Sequence, residues 1–130
     1  MTHHATGPFE VTLTPLQTEA PLGRMAIAKR FHGLLEATSR GEMLSVMNRE
    51  LASGGYVALE RVEGELAGRS GSFVLQHSGT MTRGVGGLTV SVVPDSGSGA
   101  LEGLTGTMVI RIGADGSHSY ELSYSLLGPD

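Results

Sequence analysis

The stretch Gly64-Glu65-Leu66-Ala67-Gly68-Arg69-Ser70-Gly71-Ser72-Phe73-Val74-Leu75 decides the fold. Residues 99–110 repeat this pattern, with glycine, leucine, Ser or Thr, and three final apolar residues at the same positions. Residues 33–39 form a looser third copy. Glycine-rich corners between alternating apolar and polar residues are typical of β-hairpins. The repetition therefore predicts a chain built as a series of hairpins.

The rest of the chain extends this pattern to about eight strands. Twenty glycines and five prolines favour short strands over long helices. Alternation predicts strands over 9–14, 24–35, 56–66, 71–81, 88–93, 107–112 and 118–127. Residues 16–23 read as a loop, and residues 42–51 as a strand followed by a loop. We expect one all-β domain over residues 1–130, with residues 1–8 frayed.

Composition excludes several classes of partner. A net charge of −4, with the nine basic residues scattered, argues against nucleic-acid binding. The absence of cysteine excludes disulfides and thiolate chemistry and fits a cytoplasmic protein. No signal peptide and no apolar run of about 20 residues are found, so no membrane association is expected. The histidines lack metal-ligand spacing, and we expect neither a metal nor another cofactor.

Two turns predict the strand register. A two-residue turn at Gly68-Arg69 would place Gly64 opposite Phe73 and Glu60 opposite His77. A second such turn at Asp115-Gly116 would place Leu122 opposite Val109, Tyr120 opposite Arg111 and Tyr124 opposite Thr107. The first register makes Glu60 and His77 the best candidates for catalysis.

A carboxylate touching an imidazole on a largely apolar face raises the histidine pKa and can act as a proton shuttle. The alternative is a satisfied polar pair that only fixes the register of the core. Tyr56, Phe73 and Leu75 share this face and are candidate ligand-binding residues, as is Tyr124 through its phenolic hydroxyl.

Lys29 is a further candidate ligand-binding residue. It lies among Met25, Ile27 and Phe31 on an otherwise apolar strand face. One interpretation has it neutralising Glu60 or an anionic ligand inside the fold. In the other, its long side chain extends to the rim.

Several of these residues also carry a resemblance to a known family. The chain from about Phe9 to Leu127 resembles the bacterial domain of unknown function 3224, at Glu60, Gly64, Gly68, 71–73, 76–77, 93–99, 101–103 and 118–124. The turn 96–99 reads Ser-Gly-Ser-Gly where that family usually has Ser-Gly-Thr-Gly. The resemblance implies a small closed, mostly antiparallel β-barrel of the allene oxide cyclase type, which dirigent proteins also share. It implies no established activity.

Two functions remain open at this point. In the first, the barrel lumen binds a small hydrophobic molecule, with or without cyclase-like or isomerase-like proton transfer. In the second, the barrel is filled by its own side chains and is a non-enzymatic structural or interaction module. Val57, Leu59 and Val74 give the outer surface an apolar character, which predicts a homo-oligomer.

Overall fold

A computed structural model describes residues 2–17 and 22–126 of the chain. Its strands are β1 (His3–Gln17), β2 (Gly23–Phe31), β3 (Leu35–Asn48), β4 (Ser53–Leu66), β5 (Arg69–Thr82), β6 (Val85–Val92), β7 (Ser98–Gly99), β8 (Thr105–Ile112) and β9 (His118–Ser125). Among the described residues, no helix is long and apolar enough to span a membrane.

The strands close into an eight-stranded antiparallel barrel. Each of β1 to β5 pairs with the next strand, β6 pairs with β5 and β8, and β9 joins β8 to β1. The two-residue β7 adds a short pairing to β5. This confirms the predicted all-β closed barrel.

One half of the barrel is filled with side chains. Because strand residues alternate between faces, every second residue points into the lumen, and near the β4–β5 turn these residues are mostly large and apolar. The fully buried ones include Phe31, Leu35, Val62, Leu66, Phe73, Leu75, Tyr120 and Leu122. The segment between β6 and β8 packs against this core through the fully buried Leu101 and Leu104. We call this part of the lumen the filled half.

The β4–β5 register differs from the predicted one. The turn is Ala67-Gly68, so that Val62 faces Phe73, and Glu60 faces Leu75 instead of His77. Both turn residues have positive φ, 51° and 83°, as a two-residue hairpin turn requires. A turn at Gly68-Arg69, as predicted, would have required a positive φ at Arg69. The pairing is therefore wrong by two residues, which leaves every side chain on its predicted face.

The β8–β9 register is wrong by one residue. Residues 113–117 form a five-residue loop, and Leu122 faces Met108 in place of Val109. Asp115 accepts hydrogen bonds from the backbone N–H and the hydroxyl of Ser117, which stabilises the longer loop. The shift moves Val109 to the outer surface and Met108 into the core.

Two element boundaries also differ from the prediction. Residues 3–8 are not frayed, since they belong to β1 and pair with β9 from His3–Tyr124 to Pro8–Ser119. The predicted strand 24–35 is interrupted after Phe31 by a turn in which Gly33 has a φ of 108°. The predicted strand followed by a loop over 42–51 is confirmed, since this segment holds the end of β3, which stops at Asn48. The predicted loop 16–23 and the end of the last predicted strand include residues 18–21 and 127, outside the described residues.

The outer surface carries an apolar patch on β3 and β4. Val57 and Leu59 are 53% and 54% exposed, and Leu44 lies beside them on β3. Val74, which was predicted to share this apolar outer surface, is half-buried. Self-association through this face stays a prediction.

Candidate functional site

The lumen opens at the end opposite the β4–β5 turn into a pocket of about 320 Å³. Strands β3, β4, β5 and β6 supply its walls, which are mainly methionine and glycine with one aromatic ring, that of Tyr56. The lining residues are Met43, Ser45, Val46, Met47, Gly54, Gly55, Tyr56, Gly79, Thr80, Met81, Gly86, Gly87 and Leu88. We call this pocket the open half of the lumen.

Glycines shape this pocket in two ways, by making room for the Tyr56 ring and by leaving space open. The Tyr56 ring lies over its cross-strand partner Gly79, where an added Cβ would approach Cε1 of the ring to 2.9 Å. At Gly86 and Gly87 an added Cβ would meet no atom within 4 Å. Gly86 is in phase with the buried Val90, so a side chain there would enter the pocket, and the glycine leaves that space free.

A cluster of charged and polar side chains lies within the barrel on neighbouring strands. Glu60, whose side chain is fully buried, is its centre. Lys29 Nζ lies 2.8 Å and His77 Nε2 2.7 Å from Oε2 of Glu60, and the Ser39 hydroxyl donates to Oε1 at 2.9 Å. We call these four residues the Glu60 cluster. Since an ionised carboxylate only accepts hydrogen bonds, His77 Nε2 carries the proton of its contact.

The cluster keeps Glu60 ionised. Burial raises the pKa of its carboxyl, but the hydrogen bonds from His77 and Lys29 and the charge of Lys29 outweigh this, and the pKa lies below its ordinary value. Burial, and next the charge of Glu60, raise the pKa of Tyr56. At neutral pH the Tyr56 hydroxyl therefore keeps its proton.

Lys29 is held inside the barrel. Its side chain is 7% exposed, and Nζ lies 5.2 Å and 5.9 Å from the ring centres of Phe9 and Phe31, within cation–π range. Of the two interpretations of Lys29, the structure shows the first, in which it neutralises Glu60.

The structure brings the predicted site residues together only in part. Glu60 and His77 are in contact, along a diagonal between β4 and β5, and the Tyr56 ring centre lies 6.3 Å from that of His77. Tyr56 lines the pocket, whereas Phe73, Leu75 and Tyr124 are buried in the core of the filled half. The ligand-binding role of those three, and the catalytic role of Glu60 and His77, stay predictions.

Sequence reasoning missed the β3 and β6 walls of the pocket. Met43 and Ser45 lie on the same face of β3 as Ser39, and this two-residue periodicity could have predicted that they face the lumen. Two consecutive glycines inside a strand, such as Gly86-Gly87, indicate either that another backbone passes close by or that space is left open beside the strand. Within the described ranges, no group of three or more His, Asp or Glu side chains is placed to hold a metal ion.

Comparisons with known proteins agree with this architecture. The model of the family described as protein of unknown function (DUF3224) matches residues 5–124. A crystal structure of a DUF3224 protein of unknown function from Shewanella oneidensis MR-1 is similar, with 50% sequence identity and a TM-score of 0.92 over 99% of this chain and 100% of that one. The search of curated proteins gave no match. From the family match and this structural neighbour, the chain belongs to the DUF3224 family.

Proposed function

We propose that this barrel binds a small hydrophobic molecule in the open half of its lumen. The observation that supports the proposal is the pocket of about 320 Å³ with its largely apolar lining. Its volume falls at the lower end of the range of about 300–1,000 Å³ for small-molecule sites. Gly86 adds to this support, because a larger side chain at that position would fill the space in a purely structural barrel.

The residues around the pocket suggest how the molecule is held. Methionine side chains such as Met43 and Met81 adapt to irregular apolar shapes. Tyr56 and Ser45 supply hydroxyl groups in an otherwise apolar lining. The Glu60 cluster lies beyond Tyr56, whose ring centre is 6.3 Å from that of His77.

The Glu60–His77 contact favours an enzymatic form of the same proposal. In this form Nδ1 of His77 takes a proton from one atom of the bound molecule and returns it to another atom of the same molecule, while Nε2–H stays bonded to Glu60. The apolar walls would fold and orient the molecule, as in a cyclase or isomerase.

Filling the pocket is expected to abolish binding. Gly86 faces the lumen in phase with Leu88 and Val90, and space is open around it. We expect the wild-type protein to enhance the fluorescence of N-phenyl-1-naphthylamine, an uncharged apolar probe. In Gly86→Phe the affinity should fall at least about tenfold, since the new ring occupies the site. Equilibrium titration of the fluorescence measures this.

Thr89→Phe is the matched control, because it places the same ring on the exposed outer face of the same strand. It should bind the probe like the wild type. Circular dichroism melts of both variants verify that the barrel is intact. Equal affinity of a folded Gly86→Phe variant and the wild type would refute the proposed site, and binding by neither protein would favour the structural module.

A further inference from the structure

We infer that the open end of the barrel docks on the surface of a lipid bilayer, with exposed apolar side chains around the mouth of the pocket seated among the lipids. The inference adds a partner to the proposed function and rests on it in one respect, the hydrophobic molecule that the bilayer would supply. It depends on where the exposed apolar residues and the charges of the chain lie.

Exposed apolar side chains are concentrated at the open end. The β1–β2, β3–β4, β5–β6 and β8–β9 connections all lie there, because neighbouring strands of the barrel are antiparallel. Five large apolar residues outside the pocket lining are exposed in these connections or within two residues of them. They are Leu16, Leu22, Leu51, Val85 and Ile112, which we call the apolar rim. In the described connections of the opposite end, and within two residues of them, Leu34 alone is of this kind.

The apolar rim is well exposed to water and continues into the pocket. Val85 and Ile112 are 75% and 69% exposed, more than any other large apolar side chain among the described residues. Met47 and Met81 are exposed as well and line the pocket, so that apolar surface runs from the rim into the lumen. Exposed apolar surface of this extent marks a site of contact with a protein or a membrane.

The charges at the open end suit a bilayer. In the parts of its connections that the structure describes, two cations balance two anions, namely Arg49, Arg83, Glu50 and Asp115. The described connections of the opposite end hold Asp95 and Glu102 and no lysine or arginine. Because bilayers with anionic lipids have a negative surface potential, the balanced end approaches them with less repulsion than the acidic end does.

A bilayer fits the open end better than a second copy of the chain does. The rim residues stand on separate connections around an open mouth, and not on one flat face. Two copies packed mouth to mouth would oppose two open pockets of about 320 Å³ each and leave this space unfilled, whereas the cores of protein interfaces are closely packed. Lipids have no fixed shape and can close around separate apolar side chains.

The bilayer would also supply the proposed ligand. A small hydrophobic molecule partitions from water into a bilayer. With the rim seated among lipids, the molecule would enter the pocket without crossing water. The sequence predicted no membrane association because no apolar run is long enough to span a bilayer, and that argument does not apply to surface contact through single residues of separate turns.

The first experiment uses the absence of tryptophan from the chain, since one introduced tryptophan then reports its own surroundings. Val85→Trp places it in the apolar rim, and Leu34→Trp is the matched control at the opposite end. With phosphatidylcholine vesicles, the emission of Val85→Trp should shift to the blue and be quenched by lipids with brominated chains. Leu34→Trp should show neither change. Added phosphatidylglycerol should have little effect, because the described charges at this end cancel.

The second experiment measures vesicle affinity by sedimentation. In Leu51→Ser/Val85→Ser the affinity should fall at least about tenfold, because two apolar side chains no longer leave water on docking. Leu34→Ser/Val109→Ser removes the same number of exposed apolar side chains away from the rim and should bind like the wild type. Circular dichroism melts of all variants verify that the barrel is intact.

An unchanged emission of Val85→Trp, or equal changes in Val85→Trp and Leu34→Trp, would overturn the inference. Binding to phosphatidylglycerol vesicles only would also overturn it, because the contact would then depend on charge. A dimer in vesicle-free solution that dissociates in Leu51→Ser/Val85→Ser would assign the rim to a second copy instead. The proposed function is judged apart from these outcomes, by the binding of N-phenyl-1-naphthylamine in the absence of vesicles. Vesicle docking without probe binding would leave the inference standing and refute the proposed function.

Discussion

Glu60→Gln is expected to lower the free energy of unfolding by about 3–5 kcal/mol at pH 7, the usual cost of breaking a buried ion pair from one side. The neutral amide leaves the Lys29 ammonium without its counter-charge. The amide NH2 of the glutamine is also a hydrogen-bond donor, and it would lie where Lys29, His77 and Ser39 already donate. Urea denaturation followed by circular dichroism measures the loss.

The double variant Glu60→Gln/Lys29→Met is the matched control. It removes both buried charges at once, and an uncharged pair in the same volume avoids the penalty of an isolated ammonium. We expect the double variant to recover at least half of the stability lost in Glu60→Gln. A loss equal to the sum of the two single substitutions would show that the ion pair is not coupled, contrary to our account.

The ion pair of Glu60 and Lys29 also predicts how the free energy of unfolding changes with pH. The pKa of Glu60 is lower in the folded protein than in the unfolded chain, where it is about 4.3. Its ionised form therefore stabilises the fold above about pH 4.3, and this contribution is lost as the pH falls through the folded pKa. The stability difference between wild type and Glu60→Gln should be constant from pH 7 to about 5 and shrink below about 4. A difference that grew on acidification would contradict the assignment.

Gly41→Ala is expected to cost about 3 kcal/mol or more and to disturb the site. An added Cβ would collide with the carbonyl oxygen of Leu59 and lie 2.6 Å from Cα of Glu60. Both contacts are with backbone, so that β3 and β4 would have to separate beside the Glu60 cluster. For a chain of this length we expect the melting temperature to fall by about 10 °C.

Gly86→Ala tests whether this loss is specific to the position. A Cβ at Gly86 meets no atom within 4 Å, and φ is not positive there. We expect this variant to be as stable as the wild type or more stable by up to about 1 kcal/mol. Equal melting temperatures for Gly41→Ala and Gly86→Ala would refute the close approach of β3 and β4.

The faces of β4 and β5 were predictable because alternation has a period of two, whereas the one-residue error in β8–β9 put Val109 on the wrong face. The Glu60–His77 contact survived a register error for this reason, since a slip of two residues keeps both side chains in the lumen. The turns were harder. Placing the β4–β5 turn requires knowing that Ala67 adopts a positive φ, which alanine rarely does.

The pocket was beyond sequence reasoning for a different reason. Which glycines leave empty space depends on how strands pack around the barrel, and Gly79 and Gly86 differ only in their neighbours. Phe73 and Leu75 share a face with the Glu60 cluster in any register, yet their position along the lumen puts them in the filled half. The alternation of apolar and polar residues predicts which face of a strand a side chain lies on. How far along the lumen that side chain lies follows only from the three-dimensional structure.

The methionines provide the most direct test of the claim that the open half binds a small hydrophobic molecule. Three of the six, Met43, Met47 and Met81, line the pocket, whereas Met108 is buried in the filled half. With ¹³C-methyl-methionine labelling and N-phenyl-1-naphthylamine as the ligand, we predict shifts and intermolecular nuclear Overhauser effects at the three pocket methyls. The Met108 methyl should be unchanged. Ligand contacts at Met108, or no contacts at Met43, Met47 and Met81 with the probe bound, would contradict the account.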